Sequence, residues 1–338
     1  MSMPSLPSHS VALDIPLARR LMAVDPVGLV LHAASIILFC LAATFSGAVW
    51  TWSDGRTIAL WVAYGFIFIF YLVQQAFSLF TKPNERAFPV YLLSNRRLVP
   101  LWIATACAGC AYAITLYYTP LYFAFARGSS PIEQTVRLLP FVLVFIFSVI
   151  LAGALLPIIG RYSPFYLLAG TIVLAGGGAL ATTLDTSTPD AHVMGLEALI
   201  GFGLGLFFAH GLGLSNVILD NNRARVDSLA VFNVAQLGGI AVVLSVAGCV
   251  YHNLGFRRLV ERLGDTHSER DIREALAGVS SRMLDGSDPV ALRVAVETVT
   301  EIMAKEFYLL VAAGAICVVC SFFMKWEKLD FGCGKVKA

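Results

Sequence analysis

Charge is scarce in this sequence. Asp, Glu, Lys and Arg make up 14% of the 338 residues, against about 25% in soluble domains. The two signs nearly cancel, leaving +2, so nothing electrostatic points to a nucleic-acid partner. The first 25 residues lack a basic start followed by an apolar core, and so do not read as a cleaved signal peptide. They read instead as a cytosolic arm, disordered or lying on a surface. Catalytic signatures are missing as well: there is no HExxH, no GxSxG in an apolar run and no pair of carboxylates inside one. An intramembrane protease or acyltransferase needs such a constellation, so neither an enzyme nor a cofactor is expected.

What is present is apolar. Hydrophobic residues reach 58% and mean hydropathy is +0.76. Stretches free of Asp, Glu, Lys and Arg run 26–53, 57–81, 98–126, 138–160, 162–184, 198–219, 228–256 and 307–324. Each is near the roughly 20 residues needed to cross a bilayer as a helix. The fold class is therefore an all-α membrane protein with eight transmembrane helices.

The seven cysteines include two CxxC spacings, Cys107/Cys110 and Cys317/Cys320. A zinc site needs thiolates, a second shell and an aqueous route. The neighbours here are Ala, Gly, Ile and Val, so cysteine as a small packing residue is the reading and no metal is expected.

Loop charge sets the orientation. With the N-terminus in the cytosol, the inner segments hold Arg19, Arg20, Lys82, Arg86, Arg96, Arg97, Arg161, Arg223, Arg225, Lys325, Lys328, Lys335 and Lys337. The short outer loops hold only Arg56, Arg127 and Arg137. That asymmetry follows the positive-inside rule and puts both termini in the cytosol.

One outer segment, 252–306, is long and charged. Ile272, Leu276, Val279 and Met283 recur at helical spacing, as do Leu292, Val296, Val299 and Met303. Both series predict amphipathic helices. Ser268 with Asp271 resembles a capping box, Asp288-Pro289 supplies an N-cap and first-turn proline, and Asp285-Gly286-Ser287 is turn chemistry. A helical hairpin over the outer mouth or the membrane surface is expected, and a bare cap with no part in the chemistry remains an alternative.

Polar residues inside the spans gather in three places. Span three carries LYYTPLYF at 116–123, span six carries Glu197, His210, Ser215 and Asn216, and span seven carries Ser228, Asn233 and Gln236. A polar side chain facing lipid has no partner, so these should face a bundle interior or a watered cavity. Pro120 removes a backbone donor and should bend span three or open a turn. The phenols of Tyr117, Tyr118 and Tyr122 allow two readings, cavity lining or an interfacial aromatic belt. Gly201 and Gly205 make a GxxxG spacing suited to close helix approach.

The ordered series AVDPVGLVL (23–31), WTWSDGR (50–56), LLSNRR (92–97), LYYTPLYFAFARGSSPIEQTVRLLP (116–140), IIGRYSPF (158–165), GFGLGL (201–206) and RARVDSLAVFNVAQLGG (223–239) resembles the fourteen-span drug:proton antiporter branch of the major facilitator superfamily, in its fungal form. The resemblance covers about residues 23–330. It implies efflux of drugs, toxins or secondary metabolites driven by proton entry, in the plasma membrane, from a central site between two six-helix bundles. In that scheme 1–25 is the cytosolic arm, 26–81 is a pair of insert helices, 98–324 is the second bundle, with 252–306 as its outer loop, and 325–338 is a cytosolic tail. The first six spans of such a transporter, with its signature motifs, have no counterpart here. The chain therefore reads as a partial major facilitator fold: a truncated product, a shortened gene model or an isolated half that needs a partner half or a second copy.

As a transporter, the chain would contact its small organic substrate through Tyr117, Tyr118 and Tyr122, with Asn233 and Gln236 either bonding substrate or gluing helices. Glu197 and His210 are the proton-carrier candidates. The competing readings are a solvated interfacial carboxylate for Glu197, near the outer surface, and a neighbour-bonded imidazole for His210. Arg161, Arg223 and Arg225 would anchor topology and make gate contacts with Asp220 or Asp227. An inactive or structural membrane fragment is the alternative function, and an intramembrane enzyme a more distant one.

Overall fold

The computed structural model describes residues 25–82, 85–278, 288–329 and 331. Val279, Met283, the 285–287 turn, residues 1–24 of the N-terminal arm and residues 330 and 332–338 of the C-terminal tail lie outside them.

Helices begin where the sequence supplies acceptors for their free N–H groups. Asp25 caps α1 (Pro26–Phe45) and Asp54 caps α2 (Gly55–Phe77). A 3₁₀ turn, Val90–Ser94, leads into α3 (Leu98–Arg127). Ser130 and Glu133 form a capping box at α4 (Pro131–Ile159), followed by α5 (Ser163–Thr183). Span six comprises α6 (Asp190–Gly205) and α7 (His210–Ile218). Next come α8 (Asn222–Leu263) and the short α9 (Glu269–Ala277), opened by the expected Ser268–Asp271 box. Asp288 caps α10 (Pro289–Glu306), which continues through Phe307 into α11 (Tyr308–Phe323). Among the described residues eight helical stretches are long and apolar enough to cross a membrane.

α3 is the central strut: two-thirds of its most apolar window is buried, against 17% for α4 and 22% for α8. It packs on α8 and α11, while α4 packs on α6 and α5 on α11. Small residues allow these approaches. A Cβ on Gly109 of α3 would sit 2.3 Å from the Gln236 carbonyl of α8, and one on Gly239 would sit 2.7 Å from the Ala106 carbonyl. Gly201 and Gly205, the GxxxG pair, press in the same way on Phe141 and Phe145 of α4. α1 and α2 pair with each other, and α1 leans on α8.

Two observations differ from the sequence reading. The helix of span seven does not end near residue 256 but runs 42 residues to Leu263, some 63 Å at 1.5 Å per residue. Its polar end, with Arg257, Arg258 and Arg262, therefore projects beyond a bilayer core of about 30 Å. The second amphipathic helix is not separate from span eight but continuous with it, 35 residues in all, about 52 Å at 1.5 Å per residue. Its charged first half therefore reaches beyond a bilayer core of about 30 Å and packs on the end of α8, where Glu301 pairs with Arg262 at 3.1 Å. Its buried stripe runs through Ala291, Ala295, Val299 and Met303 to Glu306, whereas Leu292 and Val296 are only partly covered.

Candidate substrate cavity

Four helices enclose a cavity of about 380 Å³ near the end of the bundle remote from the termini. α3 supplies Tyr117 and Tyr118, α8 supplies Ser245 and Tyr251, α1 supplies Thr44, and Leu276 of α9 covers one side. The volume falls in the range of small-molecule sites, about 300–1,000 Å³. Its wall mixes phenol rings with hydroxyls: the Tyr117 and Tyr118 rings meet edge-on at 5.2 Å, and Tyr118 stands 6.4 Å from Tyr251. The Tyr251 hydroxyl donates to the Leu276 carbonyl at 3.4 Å. α9 is held over this opening by Arg273, which donates to the carbonyls of Gly47 and Ala48 and lies 4.1 Å over the Phe256 ring.

The LYYTPLYF phenols thus part company. Tyr118 is buried and lines the cavity, and Tyr117 lines its rim while remaining 56% exposed. Tyr122 does not reach the cavity: it is buried and donates to the Asp185 carbonyl at 2.9 Å. There Arg127 and Arg137 both engage Asp190, at 2.8 and 3.1 Å, and Arg127 also bonds the carbonyls of Thr186 and Thr188. This network ties the ends of α3, α4 and α6 together. Within it Ser187 and Thr188 bond the Asp185 carboxyl and hold it below its ordinary range, against a smaller opposing effect of burial. Pro120 sits inside α3, which continues as one helix past it.

A second polar site is a break in span six at 206–209, between α6 and α7. The break is a tight turn, the Phe207 N–H donating to the Leu204 carbonyl and the His210 N–H to that of Phe207. The carbonyls it leaves free inside a membrane need partners. Gln236 of α8 provides one by donating to the Phe208 carbonyl at 3.0 Å, and Ser148 of α4 donates to the Phe202 carbonyl at 2.6 Å. Aromatic rings surround the break, with Tyr112 4.8 Å from Phe208. His210 opens α7, half-buried against the backbone of Val149 and Gly205, and its Nε2 has no partner among the described residues.

Other sequence candidates fall elsewhere. Asn233 does not face the interior: it is exposed and donates 2.8 Å back to the Leu229 carbonyl of its own helix. That internal bond satisfies the amide without a cavity. Gln236 joins helices rather than lining the cavity, whose nearest α8 residue is Leu244, about two turns on. Glu197 is not a solvated interfacial carboxylate. It is 0% exposed, and neither oxygen has a partner among the described residues.

Arg223 pairs with Asp227 at 3.8 Å and Arg225 donates to the Leu219 carbonyl, while Arg161 is exposed. Asp227 also accepts from the Tyr91 hydroxyl at 2.5 Å. Burial and that carboxylate push the Tyr91 phenol up to about 12. The two CxxC pairs meet across the α3–α11 interface. The Cys317 thiol donates to the Tyr166 carbonyl of α5 and the Cys110 thiol to the Gly239 carbonyl of α8. Among the described residues no group of three or more His, Cys, Asp or Glu is arranged to hold a metal.

Sequence reading missed Thr44, Ser245 and Tyr251, which line the cavity, and the burial of Glu306. The Val299–Met303 stripe extended by one i+3 step lands on Glu306, but a charge at that point reads as the boundary of an apolar run.

The structure is that of a helical membrane protein with a phenol-lined cavity and a break in span six. The fold is matched by the crystal structure of a bacterial homologue of the human lysosomal transporter Spinster, in an inward-facing, unoccupied conformation. The TM-score is 0.52 at 16% identity, covering 91% of this chain and 67% of that one. No family model matches the chain. Among curated proteins it is 32% identical to the efflux pump patC of Aspergillus clavatus over 312 residues, 92% of this chain and 56% of that protein. It is 29% identical over 333 residues to the phomenoic acid biosynthesis cluster MFS-type transporter of Leptosphaeria maculans, 94% of this chain and 53% of that protein. The chain is similar along nearly its whole length to fungal MFS-type transporters, and it spans about half the length of the curated relatives it matches.

Proposed function

We propose that this chain acts in efflux of small organic molecules across a membrane, by exchange for protons, as part of the fourteen-span branch of its family. The observation that carries the reading is the cavity of about 380 Å³ walled by Tyr117, Tyr118 and Tyr251, in a chain whose relatives are efflux pumps. Phenol rings take up flat, partly polar solutes, and the flanking Thr44 and Ser245 hydroxyls provide hydrogen bonds. The basic residues of the segments between spans favour cytosolic termini, and the plasma membrane is the location the family suggests. In this scheme α1–α2 are the insert pair and α3–α11 one six-helix bundle.

Glu197 and His210 serve as proton carriers: each is buried or half-buried and keeps a polar atom with no partner among the described residues. Arg161, Arg223 and Arg225 anchor the cytosolic edge. Reconstituted protein should concentrate a fluorescent aromatic drug when a proton gradient is imposed and stop when an uncoupler collapses it. Uptake that ignores the gradient removes proton exchange, and no uptake at all removes autonomous transport.

A second reading is favoured by one observation, the half-length match to the relatives. α4 and α8 present Leu143, Phe147, Ile150, Leu237 and Val242 outward, and a partner six-helix half or a second copy would cover those faces in place of lipid. Uptake that appears only when a complementary half is co-reconstituted supports this reading, and uptake by the chain alone in monomeric form excludes it.

A further inference from the structure

α3 and α11 part at the end of the bundle where α3 starts and α11 finishes, leaving a groove of about 650 Å³, larger than the phenol-lined cavity. Pro100 and Cys320 form its buried floor, and its rims are Ile103 of α3 with Ile316, Val319 and Phe323 of α11. The floor residues are too short to fill the space between those rims, and Ile316, Val319 and Phe323 are exposed. From Phe323 to Ile316 the trough runs about 10 Å along the helix at 1.5 Å per residue, about two-thirds of the roughly 15 Å half-thickness of a bilayer core. Its backbone offers no free donor to hydrocarbon: the Leu98 and Val99 N–H groups donate to the Asn95 carbonyl at 2.9 and 3.3 Å, and Pro100 has none.

Arg96 stands at the mouth of this trough, two residues before α3. It is exposed and has no carboxylate partner among the described residues, whereas Arg127 and Arg137 share Asp190 and Arg223 pairs with Asp227. Two residues beyond Phe323, Lys325 adds a second positive charge, and its contact with Glu327 is loose at 3.4 Å and exposed. No wall of the groove comes from α4 or α8, whose outward faces a partner half would cover, so lipid is its neighbour. A guanidinium takes phosphate oxygens in a fork, and the apolar wall takes an acyl chain.

We propose that the α3–α11 groove binds one anionic diacyl phospholipid, with its headgroup on Arg96 and one acyl chain along Ile103 and Val319. A zwitterionic phospholipid fits the trough equally well but carries its own cation, which Arg96 and Lys325 repel, so the site discriminates by headgroup. The bound lipid braces α3 against α11, whether or not the chain moves a solute.

The test is native mass spectrometry of the full-length chain in detergent, titrated with dioleoyl phosphatidylserine or dioleoyl phosphatidylcholine. The parent should retain one phosphatidylserine in preference to phosphatidylcholine. Arg96→Ala should weaken phosphatidylserine about fivefold, the loss expected for one surface charge, and leave phosphatidylcholine unchanged. Lys82→Ala removes a charge outside the groove and should change neither. Val319→Trp fills the trough, keeps the charge and should weaken both lipids. Inorganic phosphate should not displace the lipid. Equal retention of the two lipids by the parent overturns the proposal, and it is read without any variant, so a variant that fails to fold does not shield the idea. Equal losses from Arg96→Ala and Lys82→Ala overturn it in favour of diffuse attraction to basic residues. Displacement by phosphate would make the ligand a free anion, and a dimer that Val319→Trp abolishes would give the groove to a second copy of the chain; either result overturns it.

Discussion

Replacing Asp25 by Ala is expected to loosen the whole terminal end of the helix pair. The Asp25 carboxylate is fully buried and accepts four hydrogen bonds: from Gly28 N at 2.9 Å, Ala87 N at 3.0 Å, Gln75 Nε2 at 3.0 Å and Gln74 Nε2 at 3.1 Å. It thereby caps α1, ties α1 to the end of α2 and fastens the loop that leads into the six-helix bundle. Its backbone sits at φ 50°, in the left-handed region that Asp tolerates better than most residues. Loss of the cap costs about 1 kcal/mol. That term already includes the stranded Gly28 donor; stranding the part-buried Ala87 donor adds about 1–3 kcal/mol, so a total of about 2–4 kcal/mol is expected.

Burial pushes this carboxyl up, but the four hydrogen bonds outweigh it and hold the group below its ordinary value of 3.8. A depressed carboxylate contributes stability that is fully present above the ordinary value and lost as pH falls through the folded one. The gap between parent and Asp25→Ala should therefore be constant from about pH 6 to 8 and shrink only in strong acid. Thermal unfolding of the detergent-solubilised protein, followed by loss of the monodisperse peak, reads both effects. An Asp25→Ala variant as stable as the parent at neutral pH refutes the reasoning.

Further outcomes follow from the same contacts. Gln236→Ala strands the Phe208 carbonyl at the break in span six and should cost about 1–3 kcal/mol of thermal stability; an unchanged unfolding midpoint would show that water or another group replaces the amide. Arg127→Ala and Asp190→Ala each cut the clamp between α3, α4 and α6, and a double-mutant cycle should give a coupling of about 1 kcal/mol, because the pair is only partly buried; additive effects contradict the clamp. Glu197→Gln removes a carboxyl with no partner among the described residues, so folding should be unharmed or improved, while proton-driven uptake should fall if Glu197 carries protons. Loss of folding in this variant would instead mark Glu197 as structural. Tyr118→Ala should change which drugs are moved at unchanged expression, and unchanged selectivity removes that phenol from the solute path.

The eight spans were legible because a bilayer demands long runs without charge, and 98–126 or 228–256 meets that demand unaided. Helix starts were legible for a related reason: Ser268–Asp271 and Asp288-Pro289 carry their own capping chemistry. Three features were not. The break at 206–209 lies in GFGLGLFFAHG, where uniform hydropathy hides an unwound turn whose partner, Gln236, is contributed by another helix. The extension of α8 to Leu263 was hidden because a helix outside the bilayer core need not be apolar. Glu306 was hidden because a single charge ends an apolar run in sequence while the helix carrying it continues inward. Asn233 is exposed and bonded to its own helix, an arrangement that lets an amide face outward at small cost and that sequence alone does not separate from a cavity-facing one.

The account depends most on solute, rather than lipid, filling the space beside Tyr118. Ser245 lies on the cavity wall, so Ser245→Cys in a background with the native cysteines replaced gives a direct readout through maleimide labelling in intact vesicles. The expected result is modification by a membrane-impermeant maleimide that is slowed by a transported drug. Modification only by a lipid-soluble maleimide, unaffected by any drug, contradicts the account.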